Sequence, residues 1–219
     1  MSSTAVQLST RLPARDRETV IISTKDHQNE WPRASASCLT QDEPITIFVA
    51  DDSYADSTSE MVANRFLMVQ VIRHPTPLGI VPVRNDVTNK VTTPFACTLH
   101  DDAVFTTPTI VRTTLAQFDH PRVAVTTIPL VNFINPERSN TPNRQRDPSN
   151  PLVSPHFPRG ANCIKLAAFH AVGGCRGLFV RQGEESEFAM RLMCKGWVSR
   201  VGTANEIHRF YRPRATVSP

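Results

Sequence analysis

Three acidic clusters have residue types and spacing that could do chemistry: Asp51-Asp52 within Ala50-Asp51-Asp52-Ser53, Asp101-Asp102 after His100, and Glu184-Glu185 within Gly183-Glu184-Glu185-Ser186-Glu187. Two adjacent carboxylates such as Asp101 and Asp102 can hold Mg²⁺ or Mn²⁺, which neutralises phosphate oxygens. The competing reading is a helix N-cap, because Asp is favoured there and Pro108 shortly afterwards opens a helix. Asp51 and Asp52 can accept hydrogen bonds from the base or ribose of a nucleotide, with capping or a turn as the alternative. A carboxylate at a loop-to-helix junction, as at Glu184 and Glu185, can act as a general base. Carboxylates starting a helix are also favoured by its dipole alone. Arg84 offers a guanidinium to a phosphate, or is simply a solvated charge on a helix. His208 is a candidate metal or phosphate ligand, set against the commoner packed or surface histidine.

These residues need a scaffold. Short β-branched runs at Thr19 to Ser23, Ile45 to Ala50, Met68 to Ile72, Phe95 to Leu99 and Val123 to Ile128 read as buried strands. Between them, Glu30 to Leu39, Ser57 to Phe66, Ile80 to Lys90 and Thr109 to Phe118 are of helix length, so strands and helices alternate as in a parallel α/β sheet. Ligands on such sheets bind outside the carboxyl ends of the strands, and Asp51-Asp52 and Asp101-Asp102 both follow predicted strands. From about Asn132 to Arg159 the pattern dissolves into Asn, Arg, Ser and six prolines, a long loop that suits a lid or a surface excursion. Beyond it, Ala167 to Val172 ends at Gly173-Gly174, Glu184 to Lys195 forms an amphipathic helix stopped by Gly196, and Trp197 to Val201 reads as a strand.

The chain of 219 residues, 40% hydrophobic and 20% charged, has room for one sizeable core. It contains no run of about 18 apolar residues, and its first 20 residues are polar, so a cytoplasmic protein is expected. Five scattered cysteines without a C-x-x-C spacing read as reduced thiols. The net charge of +4 is modest, yet Arg200, Arg209, Arg212 and Arg214 gather near the end, where they could face phosphate or an anionic lipid surface. Nucleic-acid binding is disfavoured, since only two Tyr and two Trp are present to stack bases.

Taken in order, the motifs resemble the family 2 glycosyltransferases of the GT-A fold from about Thr19 to Pro213. Val20-Ile21-Ile22-Ser23-Thr24-Lys25-Asp26 resembles the first strand and nucleotide-facing loop, and Phe48 to Ser53 with Ser57-Thr58 resembles the second. Val83-Arg84-Asn85 stands where the family has an Arg-Asn pair, and Leu99 to Ala103 at its Asp-x-Asp position, with His100 in place of the first Asp. Phe169 to Gly174, Gly183 to Glu187 and Arg191-Leu192 resemble the acceptor region and acidic base motif, with Glu185 where Asp is frequent.

The resemblance implies a GT-A, Rossmann-like nucleotide-diphospho-sugar transferase fold, with a mostly parallel sheet flanked by helices. One domain would span 19–213, after an N-terminal extension (1–18) and before a tail (214–219). Thr24, Asp26, Asp51 and Asp52 would contact the nucleoside, Arg84 a phosphate or base, and Asp101 the ribose or donor sugar. Asp102 would bind Mn²⁺ or Mg²⁺, with His208 approaching the metal or diphosphate, and Glu185, or else Glu184, would be the base. The expected partners are a nucleoside-diphosphate-sugar donor and a glycan, lipid-linked or small-molecule acceptor, as in polysaccharide biosynthesis, with a peripheral membrane contact and no nucleic acid. The alternative is a catalytically inactive nucleotide- or glycan-binding module, or a partner subunit.

Overall fold

Strand β1 (Glu18–Thr24) is buried at every position except Ser23, the signature of a strand covered on both faces. It pairs in parallel with β2 (Ile45–Asp51) and β4 (Phe95–His100), and β2 pairs in parallel with β3 (Val69–Arg73). The structure, a computed structural model, describes residues 18–24, 31–52, 66–133, 153–154, 157, 161–177, 183–203 and 206–210. Asp26, the expected helix before Phe66, most of the proline-rich loop, residues 1–17 and the tail lie outside them.

The main sheet has eight strands in the order β3-β2-β1-β4-β9-β6-β10-β8. Its second half comprises β6 (Val123–Thr127), β8 (Val153–Ser154), β9 (Ala161–Lys165) and β10 (Val198–Arg200). β9 runs antiparallel to both β4 and β6, and β8 antiparallel to β10, whereas β6 and β10 are parallel. A mostly parallel α/β sheet is thus present as expected. The reading of the sequence assigned no element to Ala161–Lys165. That strand is short, follows a proline-rich stretch, and derives its stability from partners remote in sequence, which no local pattern displays.

Each face of the sheet carries its own core. On one, α1 (Trp31–Leu39) buries Trp31, Ala34, Ser35 and Cys38, spaced as one helical stripe, against Val20, Ile22, Val49, Cys97 and Leu99. On the other, α2 (Ile80–Lys90) sets Val83 and Val87, and α5 (Glu184–Cys194) sets Phe188, Ala189 and Leu192, against Ile21, Phe48, Ala50 and Ala96. Two shorter helices, α3 (Ile110–Leu115) and α4 (Leu166–Ala171), complete the described helices. A small sheet ordered β5-β11-β7 closes the carboxyl edge, from β5 (Ala103–Phe105), β11 (Ile207–Arg209) and β7 (Leu130–Asn132). Because β5 begins just after β4 ends, this small sheet stands over the Asp101-Asp102 turn.

Candidate functional site

The register of the three central strands gathers one set of candidates at one rim. Ser23 lies opposite both Ala50 and His100, Thr24 lies opposite Asp51, and the Asp52 N–H donates to the Thr24 carbonyl at 3.1 Å. Thr24, Asp51 and Asp52 are buried there, Asp51 with Arg73 Nε at 3.9 Å. Asp52 uses both oxygens: Oδ1 accepts from the Leu78 N–H at 2.6 Å and Oδ2 from the Gly79 N–H at 3.0 Å. Gly79 has φ +91, a conformation that favours glycine, and directly precedes α2. Asp52 therefore anchors the entry to α2, the turn-forming role set beside nucleoside contact above.

One turn into α2, Arg84 and Asn85 line a pocket together with Thr98, Asn162, Phe169, Cys175, Glu184 and Glu185. Glu184 and Glu185 come from the far side, from the first turn of α5, and are 2% and 9% exposed. Helix N-terminal carboxylates would ordinarily face water, so their burial beside a guanidinium-bearing helix distinguishes them from a mere dipole effect. The four charged groups Arg84, Glu185, Arg191 and Glu184 all act on the Cys175 thiol, whose pKa burial pushes up to about 12. That thiol stays neutral at physiological pH.

Asn85 builds the pocket wall. Its Oδ1 accepts from the Cys175 N–H at 3.0 Å while its Nδ2 donates to the Cys175 carbonyl at 2.6 Å. Gly174, at φ +73, packs so tightly here that a Cβ would lie 2.9 Å from Phe169 Cζ and 3.0 Å from Asn85 Oδ1. Arg191 fixes the same segment to α5, donating to the carbonyls of Val172 and Gly174 and to the Glu187 carboxylate. Neither Asn85 nor Arg191 was assigned a function from the sequence; each carries a framework that sets where Glu184 and Glu185 sit.

Asp101 and Asp102 form the turn between β4 and β5 and are 6% and 9% exposed. Neither caps a helix, since Thr109 occupies the N-cap of α3. Burial raises the Asp102 carboxyl above its ordinary value; Arg209 opposes the rise and Asp101 adds to it. Arg209 Nε lies 3.0 Å from both Asp102 oxygens, and the Phe210 N–H donates to the Asp102 carbonyl at 2.8 Å. His208, one residue earlier on β11, turns the other way, with Nε2 3.4 Å from Glu206 and its ring edge-on to Phe133 at 4.6 Å. Strand alternation makes the choice: adjacent residues of β11 point to opposite faces, and Arg209 has the Asp102 face. Spacing alone gave no sign of this.

Among the described residues, the three metal-ligand types whose donor atoms approach within 4.8 Å of one another are Glu18, Cys97 and Cys163, fully buried in the core and not at the rim. At the rim, an ion at Asp102 would find a carboxylate oxygen, the donor type that Mg²⁺ takes. The carboxylate fits such an ion as a hard oxygen donor, and Arg209 is the cationic group that already occupies it.

A doubly flanked, mostly parallel sheet with acidic strand tips, and with a carboxylate-lined pocket between α2 and α5, is the GT-A glycosyltransferase architecture. The model of the family described as "Glycosyl transferase family 2" matches residues 19–182, and the chain belongs to that family. No curated protein sequence matches it. Among solved structures it resembles the mannosyltransferase PcManGT from Pyrobaculum calidifontis in complex with GDP-Man and Mn²⁺, at TM-score 0.72 and 16% identity over 92% of this chain and 59% of that one. It also resembles GalNAc-T7 with UDP, GalNAc and Mn²⁺ (TM-score 0.73, 15% identity, 92% of this chain, 45% of that one). A third is S. aureus TarS 1-349 in complex with UDP-GlcNAc (TM-score 0.70, 16% identity, 91% of this chain, 60% of that one). The chain thus spans roughly half the length of these structures. Among the described residues no helix is long and apolar enough to cross a membrane.

Proposed function

We propose that the chain transfers a glycosyl group from a nucleoside-diphosphate-sugar to an acceptor hydroxyl, with inversion and with a divalent cation at Asp102. The observation that carries this reading is the pocket in which Arg84 on α2 meets the buried pair Glu184 and Glu185 on α5. In this reading Glu185, with Glu184 as the second candidate, takes the acceptor's proton onto a carboxylate oxygen as the hydroxyl attacks the anomeric carbon. Arg84 binds a phosphate, Asp101 the ribose or donor sugar, and Thr24, Asp26 and Asp51 the nucleoside. Asp52 holds the entry to α2 and from there borders the nucleoside. A cation bound at Asp102 would supply charge neutralisation of the departing diphosphate. His208 is the second cation candidate, although its side chain faces Glu206 and not Asp102.

Screening nucleotide-sugars for thermal stabilisation with and without Mn²⁺, followed by transfer or donor hydrolysis, tests the reading. Asp102→Asn is expected to abolish metal-dependent turnover, and Glu185→Gln to preserve donor binding while stopping transfer. Undiminished transfer in both variants would remove the mechanism. A second reading, a GT-A module that binds nucleotide or glycan without chemistry, is favoured by Arg209 on Asp102 and by His100 at the start of the acidic motif. Donor binding without turnover across the panel would select it.

A further inference from the structure

The Asp102 carboxylate, on the reading above, is the cation's anchor, yet both its oxygens face one guanidinium nitrogen at 3.0 Å. A divalent ion at metal-bonding distance of those oxygens would also lie close to the guanidinium charge, so the two cations repel one another and compete for the carboxylate. The two cations claim one ligand. The geometry also provides for withdrawal: the Arg209 side chain is 22% exposed against 8% for Asp102, so the arginine has more open space beside it than the carboxylate it pairs with. Main-chain bonds would keep the strand in place meanwhile, since the Phe133 N–H donates to the Arg209 carbonyl and the Phe210 N–H to the Asp102 carbonyl. β11 is also the central strand of its sheet, paired on both sides.

We propose that Arg209 holds the cation's place at Asp102 and competes with the divalent ion for it, so that this one side chain sets the metal affinity of the site. The proposal rests on Asp102 being the cation ligand, and its test separates the two ideas. Mn²⁺ binding to the whole chain, without nucleotide-sugar, is measured by the loss of the free-ion paramagnetic resonance signal for wild type, Arg209→Gln, Arg209→Lys and Asp102→Asn. Removing the charged competitor in Arg209→Gln is expected to tighten Mn²⁺ binding about tenfold or more, the scale of one charge-assisted pair. Arg209→Lys, which keeps the charge but loses the planar fork, is expected to fall between the two. Asp102→Asn is expected to abolish binding.

Unchanged or weaker Mn²⁺ binding in folded Arg209→Gln, with binding still lost in Asp102→Asn, would overturn the competition and leave Asp102 as ligand. Mn²⁺ binding that persists in Asp102→Asn would overturn the assignment of Asp102 itself. Circular dichroism establishes that each variant is folded. Should Arg209→Gln fail to fold, Arg209→Lys decides the matter: affinity equal to wild type would overturn the proposal.

Discussion

Glu18 is a fully buried carboxyl at the start of the central strand, 2.7 Å from the Cys163 thiol that donates to its Oε1. Its Oε2 has no hydrogen-bond partner among the described residues. Burial, only partly offset by the thiol hydrogen bonds from Cys163 and Cys97, raises its pKa from the ordinary 4.5 to about 7. The folded chain therefore holds a proton that the unfolded chain releases. Its contribution to stability is complete below pH 4.5, declines above that, and is lost as pH rises through about 7. At about 1.4 kcal/mol per pH unit the loss amounts to roughly 3 kcal/mol. Glu18→Gln keeps the shape and an acceptor for Cys163 but has no proton to lose. Urea unfolding of both proteins at pH 5, 6, 7 and 8 isolates the term, because every other titrating group is common to the pair. The variant should gain on wild type from pH 5 to about 7 and level off by pH 8, and a stability difference constant from pH 5 to 8 would refute the reasoning.

Other outcomes follow from the framework. Asn85→Ala removes both bonds to the Cys175 main chain, and should lower stability by about 2 kcal/mol and weaken donor binding together, read by urea unfolding and a thermal-shift titration. Asp52→Asn leaves an amide facing either the Leu78 or the Gly79 N–H, and should cost about 1–3 kcal/mol and raise hydrogen exchange at those two amides selectively. Gly202→Ala would set a Cβ 1.8 Å from the Thr127 carbonyl oxygen. Main chain cannot give way like a flexible side chain, so a loss of about 3 kcal/mol or more, or failure to accumulate as soluble protein, is expected.

Much of the frame was legible from residue order. Ile80–Lys90 forms the expected helix with the expected bounds, and the first strands fall within a residue or two of their apolar runs, because continuous burial on both faces leaves an unbroken hydrophobic signature. Helix α5 was legible for a different reason: its apolar stripe and terminal glycine are local features. β9 and the small sheet were not, since their short segments lack a long unbroken apolar run and owe their conformation to partners far along the chain.

The sequence by itself determined which chemical groups exist at the strand ends: Asp51 and Asp52, Asp101 and Asp102, and the glutamates opening α5. Their types and order follow from covalent structure alone. Only the tertiary structure decided how they are used. Strand alternation in β11 gave Asp102 to Arg209 and turned His208 away, main-chain amides took both oxygens of Asp52, and the fold set the buried Glu184 and Glu185 across one pocket from Arg84. Those outcomes depend on contacts between segments as far apart as Asp102 and Arg209, and no local pattern encodes which face of a distant strand will meet a given carboxylate.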